Sequence, residues 1–179
     1  MEGAVKVGRL RRRVIFPSLD IEGNLNYWVS RSVDVGVIPK YFNSKAQKKS
    51  IIFNECDINF KKPVTLVEGP FDLIKCDENA TCLLGSSLSE GHELFRSLMA
   101  NRTPVTLALD SDMQDKSHKI ASLLYSAGCD VSIMPLGNFS DVGEMSKDQF
   151  IEQKKKTIEW NPMNSLTNKI LSIKSGSIL

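Results

Sequence analysis

The sequence predicts a mixed α/β protein: a mainly parallel, four-stranded sheet flanked by helices, preceded by a small β-rich basic lobe. Three observations predict it. Strand-like and helix-like stretches alternate from about residue 61 to residue 150, the rhythm of a parallel sheet covered by crossover helices. Within that region VTLVEG (64–69) and PVTLALD (104–110) are β-branched or leucine-rich runs closed by turn or acidic residues, as short buried strands are. Before residue 60 the pattern is instead an apolar/polar alternation, which suits a half-exposed antiparallel sheet.

Taken in order, RVIFPSLD (13–20) reads as a strand ending near Pro17, EGN (22–24) as a turn, and LNYWVSRSV (25–33) as the second arm of a hairpin. PKYFNS (39–44) reads as an irregular polar segment and SIIFNE (50–55) as another strand, before a Lys- and Asn-rich linker at 57–63. After the strand VTLVEG, Pro70 opens a helix through about Cys76, TCLLGSS (81–87) is a short strand, and Ser89 caps a helix from Glu90 to Ala100. PVTLALD is a strand, DKSHKIASLLYSAG (115–128) a helix stopped by Gly128, and CDVSIMPL (129–136) a strand running into the loop GNFSDVGEM (137–145). Residues 151–179 form a helical or frayed tail, with a lysine run at 154–156, a turn near Asn161-Pro162 and a weak helical pattern through Leu166, Ile170 and Ile173. The expected division is therefore 1–60, 61–150 and 151–179.

At 179 residues and 41% hydrophobic content the chain can bury one good core. No apolar run approaches the roughly 18 to 20 residues of a membrane helix, and no apolar stretch follows the basic start, so a cytoplasmic protein without a membrane partner is expected. Four cysteines without a CxxC pair and two histidines off any zinc spacing argue for reduced thiols and no structural zinc. Charge is uneven: residues 1–60 carry ten Lys and Arg against six Asp and Glu, residues 61–150 eight against thirteen, and residues 151–179 five against two. A basic lobe beside an acidic one suits a polyanionic partner.

The acids Glu68, Asp110 and Asp112 fall where the two apolar runs end. In an open parallel sheet, ligands collect outside the carboxyl ends of the strands, so these side chains are expected to converge there on a divalent metal. Past a strand's end, residues two apart can turn toward one ion, which accounts for the Asp110-Ser111-Asp112 spacing. Asp112 also fits a helix N-cap, and Asp72 a partner for a helix dipole. In the basic lobe Tyr27, Trp28, Tyr41 and Phe42 offer stacking faces to unpaired bases, with Trp28 and Phe42 assigned rather to the small core. GSSLSEGHE (85–93) reads as a capped helix start rather than a phosphate loop, and His92 and His118 as helix-surface positions.

Together, RVIFPSLDIEGN with Arg31 following, PKYFNS, VEGPFD and LALDSD, in this order and with FSDVGEM as a weaker fifth block, resemble the catalytic core of bacterial and phage DnaG-type DNA primases, with a Toprim fold in the second lobe. The resemblance covers about Arg13 to Phe150. It implies an enzyme that synthesises short RNA primers on single-stranded DNA by metal-dependent nucleotidyl transfer, in phage replication inside a bacterial host. Glu68, Asp72, Asp110, Asp112 and Asp141 then form the Mg2+ or Mn2+ cluster, with Glu68, Asp110 and Asp112 catalytic. Arg13, Arg31, Lys40, Tyr41 and Asn43 face template or nucleotide, and Lys48 and Lys49 extend that track. The implied partners are single-stranded DNA template, ribonucleoside triphosphates, a replicative helicase and a separate zinc-ribbon module.

Two rival readings remain open: a Toprim metal-dependent nuclease, against which the basic PKYFNS block argues, and a non-catalytic nucleic-acid-binding primase fragment. The chain departs from the family in three places. Gly143 stands where a second Asp usually follows the position of Asp141, leaving a metal contact absent or supplied by Glu144. Met113, Gln114 and Asp115 replace the small residues that follow the DxD. The sequence also begins about a dozen residues ahead of the RxxFP block, where relatives carry a zinc ribbon and more of the first lobe.

Overall fold

The computed structural model describes residues 8–167, which build two sheets of different character. The first is antiparallel, in the order β1 (Arg13–Leu19), β2 (Leu25–Ser32), β3 (Tyr41–Asn43). Asp20 closes the β1–β2 hairpin by accepting from the amides of Glu22 and Asn24, and Gly23 supplies the positive φ of +83° that the turn needs. β1 runs on through Pro17 to Leu19, past the expected stop. It is an edge strand, where a missing N–H breaks no ladder.

Two local expectations are corrected here. PKYFNS supplies a third strand, with Val29 opposite Asn43 and Arg31 opposite Tyr41. SIIFNE is no strand: Ile52 and Phe53 are fully buried, but their carbonyls accept from the side chains of Asn26 and Thr81 instead of a neighbouring strand. An apolar run flanked by polar residues signals burial, and here side chains rather than a ladder satisfy the backbone.

The second sheet has the order β5-β4-β6-β7-β8, built from β4 (Val64–Val67), β5 (Ala80–Cys82), β6 (Val105–Ala108), β7 (Val131–Ile133) and β8 (Ile158–Glu159). The first four strands are parallel as expected. The four-stranded sheet is nevertheless five-stranded, because β8 adds an antiparallel edge from the segment assigned to the tail. Trp160, next after β8, is buried and donates its Nε1–H to His118 Nδ1 at 3.0 Å. Residues 162–167 are helical, so Leu166 lies in a helix, whereas Ile170 and Ile173 lie outside the described residues.

Every residue of β4 and β6 is buried, because both faces of this sheet are covered. Val64, Leu66, Val105 and Leu107 pack with α1 (Glu93–Asn101) and α2 (Gln114–Ser126) through Leu94, Phe95, Leu98, Ile120 and Leu124. On the other face Val67 and Ala108 meet Tyr27, Val29 and Phe53 of the first lobe and Phe150 of α3 (Lys147–Lys154). One shared core therefore holds the lobes together. Truncating the fully buried Leu107 to Ala would cost about 2–5 kcal/mol.

The remaining helices differ in detail from expectation. The stretch after Pro70 is one 3-10 turn, Asp72–Lys75, not an α-helix. α1 starts at Glu93, three residues late, and Ser89 does not cap it; its hydroxyl pairs with His92 Nδ1 at 2.9 Å. α2 ends before Gly128, whose φ is +89°. No helix among the described residues is long and apolar enough to cross a membrane. The cysteines are unpaired, and burial pushes the Cys76 thiol up to about 12 and Cys82 higher.

Candidate active site

The parallel register sets Val67 beside Ala108, so Glu68 is one residue beyond its strand and Asp110 two beyond the adjacent one. Both line a cleft of about 730 Å3 between the lobes, together with Asp72 and Asp141. Asp141 comes from the loop after β7, which is tied to the Asp110 turn by Ser111 N–H donating to Ser140 O at 2.9 Å. Its carboxylate accepts from the Glu144 amide at 2.9 Å, while Glu144 Oε2 accepts from the Ser140 amide at 2.8 Å. Asp72 Oδ2 accepts from the Gly69 amide at 3.0 Å, which folds the VEGPFD turn back on itself.

These acids repel one another. Burial, then Glu68, Asp72, Asp141 and Asp112, push the Asp110 carboxyl up to about 7. Asp72 is raised by burial, with the Gly69 and Gly143 amides opposing and Asp141 and Glu68 reinforcing. None of the ion pairs among the described residues involves the cluster. Clustered carboxylates without paired cations are a hard oxygen donor set, the chemistry that Mg2+ and Mn2+ prefer. As the side chains stand, no three Asp, Glu, His or Cys groups among the described residues close around a single point.

Asp112 is placed differently from Asp110. It is exposed on the 3-10 turn Ser111–Met113 and does not line the cleft, although its charge reaches Asp110. It is no cap either, since α2 begins without one. Gly143 takes on a role of its own. A Cβ there would lie 3.0 Å from Asp72 Oδ1 and 3.1 Å from Asp141 Oδ1, so the absent side chain lets two carboxylates approach.

The opposite wall is the inner face of the antiparallel sheet. Alternation along β2 and β3 turns Tyr27, Val29, Arg31, Tyr41 and Asn43 into the cleft, and Lys40 and Lys48 join them. The Arg31 guanidinium lies over Tyr41 at 5.7 Å and over Phe71 at 5.6 Å, and Lys40 lies over Tyr41 at 5.7 Å. Lys48 Nζ donates to Leu84 O at 3.0 Å. Arg13 and Lys49 are not part of this wall: Arg13 donates to the carbonyls of Pro39 and Lys40 at 2.6 and 3.1 Å, holding the PKYFNS segment, and Lys49 is exposed on a 3-10 turn.

One residue of the wall was absent from the sequence-based expectations, and another stands in a different role from the one expected. Phe71, inside VEGPFD, stacks on Phe16 at 6.0 Å and meets Tyr41 at 5.9 Å with the rings tilted by 55°, so the acidic motif itself grips the basic lobe. Tyr27, assigned a stacking face, is instead 1% exposed at the cleft floor. Its hydroxyl and Asn43 Oδ1 are buried side by side without hydrogen-bond geometry between them, and burial pushes the phenol up. The signal for Tyr27 lay in its four-residue spacing from Arg31, which puts both on one face of a strand.

No protein-family profile matches the chain. It is 29% identical over 130 residues to a DNA primase of Listeria innocua serovar 6a, a stretch covering 66% of this chain and 21% of that protein. Among solved structures it is similar to the zinc-binding and RNA polymerase domains of the Aquifex aeolicus primase, with a TM-score of 0.69 and 23% identity over 89% of this chain and 44% of that one. It is likewise similar to a DnaG primase catalytic domain bound to single-stranded DNA, with a TM-score of 0.68 and 20% identity over 84% of this chain and 53% of that one. The architecture is thus that of a primase catalytic core. The chain is similar in sequence to DNA primases and spans about a fifth of the length of the curated relatives it matches.

Proposed function

We propose that the chain is the RNA-synthesising core of a DNA primase, acting on single-stranded DNA in phage replication. The observation that carries this reading is that one cleft faces carboxylates from the segments following three adjacent strands on one side with Arg31, Lys40 and Lys48 on the other. A ribonucleoside triphosphate and a template strand are both polyanions, and the reaction develops further negative charge on its attacking and leaving oxygens. Within the proposal, residues 1–60 serve as the basic lobe, 61–150 as the Toprim-like metal-binding unit and 151–179 as a C-terminal tail.

In this reading Glu68, Asp72, Asp110 and Asp141 would hold Mg2+ or Mn2+, with Asp112 acting from the turn. Bound cations would lower the charge on the attacking and leaving oxygens. The 3′-hydroxyl oxygen of the growing primer bonds to the α-phosphorus, the bond to the departing pyrophosphate breaks, and Glu68, where it does not ligate the metal, takes the hydroxyl proton. Lys40, Lys48 and Arg31 neutralise phosphates, Tyr41 steadies Arg31 and Lys40 through its ring, and Arg13 and Lys49 act from outside the wall. A replicative helicase and a zinc-ribbon module are the proposed protein partners.

The test is to incubate the chain with single-stranded template, ribonucleotides and Mg2+ or Mn2+, with and without candidate partners, and to resolve products on a denaturing gel. New short RNA is expected. Cut template would favour the nuclease reading, and retained binding with neither product would leave a non-catalytic fragment.

A further inference from the structure

The antiparallel sheet has a second face, turned away from the cleft, which the proposed activity does not use. Because Tyr27, Val29 and Arg31 point into the cleft, Trp28 and Ser30 point out of the opposite side of β2, and Phe42 does so from β3 between Tyr41 and Asn43. Pro17 and Ile15 of β1 pair with Trp28 and Ser30 and complete this surface. Trp28 and Phe42 belong to neither core cluster, contrary to their assignment from sequence. Their rings are 5.9 Å apart at 44°, only half-buried, and Ile15 beside them is 44% exposed.

Charge indicates the occupant. The three strands contain no Asp or Glu, and the guanidinium of exposed Arg9 lies 5.9 Å from the Phe42 ring centroid. A polypeptide or a second copy would find apolar surface here but no carboxylate on the three strands to answer its cations. A nucleic-acid strand finds what it requires: aromatic faces for bases and a cation for phosphate. The surface is also continuous with the cleft. Among the described residues β3 is an edge strand with no further strand paired to it, so a chain leaving Lys40 and Tyr41 reaches Phe42 by crossing a single strand.

We propose that the outer face of the basic lobe, formed by Trp28, Phe42 and Arg9, is a stacking platform for one or two bases of single-stranded DNA running beyond the cleft. It binds without reading sequence, since every base offers a π-face, and its affinity falls with salt.

The experiment uses the full chain carrying Trp160→Phe, which leaves Trp28 as the one tryptophan of the two in the sequence. Titration with an oligothymidylate of about 16 nucleotides should quench Trp28 fluorescence saturably, and added salt should reverse it. Phe42→Ala should weaken binding at least about fivefold, and Trp28→Phe should retain most of what Trp28→Ser loses. Exposed Arg9→Ala should weaken binding too, and it keeps the test decisive if Phe42→Ala fails to fold.

Oligonucleotide binding seen by anisotropy without quenching would overturn the platform, as would quenching that neither Phe42→Ala nor Arg9→Ala alters. Quenching on raising protein concentration without DNA, with a dimer in sedimentation, would assign the face to a second copy and overturn it as well. Primer synthesis in the same samples separates this proposal from the assigned activity. Platform variants should raise the template concentration needed while leaving the saturated rate unchanged, whereas quenching without any RNA product would sink the activity and keep the platform.

Discussion

The two walls of the cleft hold charge in opposite ways. On the acidic wall, carboxylates from beyond the ends of a doubly covered parallel sheet gather without an ion pair among the described residues, and burial first, then the neighbouring acids, push Asp110 up to about 7. On the basic wall, Arg31 and Lys40 rest on Tyr41 and Phe71 rings and Lys48 on a carbonyl, and none of them is ion-paired to a carboxylate among the described residues. The acidic wall is therefore electrostatically strained until something positive arrives, whereas the basic wall is ordered in advance at little cost. Phe71 belongs to both, since it sits in the acidic motif and stacks on the basic lobe.

Removing a member of the strained wall should have the largest effect. Asp110→Asn is expected to lower synthesis by about 10²- to 10³-fold while leaving template affinity within a few fold, read by primer yield and fluorescence anisotropy. The same substitution should stabilise the fold. Because the folded pKa of about 7 exceeds the ordinary 3.8, the folded state binds the proton more tightly, and stability falls as pH rises between those values and then levels. Thermal melts should show a steeper slope in the parent than in Asp110→Asn, where the raised Asp72 carboxyl still contributes. Stabilisation by Mg2+ should grow from pH 5 to pH 8 in the parent alone; a parent indifferent to both pH and Mg2+ would refute the strained wall.

On the ordered wall, Lys40→Ala is expected to weaken template binding about tenfold at low salt and to reduce the salt slope by about one unit, with catalysis at saturation little changed. An unchanged slope would mean that Lys40 meets no phosphate. Gly143→Ala tests how closely the acids must approach. Its methyl meets Asp72 and Asp141 at about 3 Å, so Mg2+ affinity by calorimetry should drop a few fold, and an increase would show that the cluster tolerates spreading. The smallest effect belongs to Arg13→Ala, which removes two half-exposed hydrogen bonds to the PKYFNS segment. It should cost on the order of 1 kcal/mol in a denaturant melt without abolishing synthesis.

Much of the site was legible because strand ends are. VTLVEG and PVTLALD announce buried strands by composition, and parallel neighbours must bring Glu68 and Asp110 to one edge. Asp112 shows where that reasoning stops: two-residue spacing allows both acids to turn inward, but the 3-10 turn sends the second one to solvent. SIIFNE failed because burial and strand pairing look alike in composition, and only the Asn26 and Thr81 side chains decide that its backbone needs no ladder. β8 went unseen because two residues carry no periodicity; the open edge of β7 recruits them.

By itself the sequence determined the order of elements, the parallel sheet, the acids at its carboxyl edge and the segregation of charge, since each follows from local composition and periodicity. The tertiary structure decided which face of β2 looks into the cleft, that Tyr27 is buried while Trp28 is not, and how near Gly143 lets Asp72 and Asp141 come. Those outcomes depend on how two sheets pack across a shared core, and a one-residue change of phase in a strand would reverse every one of its side chains.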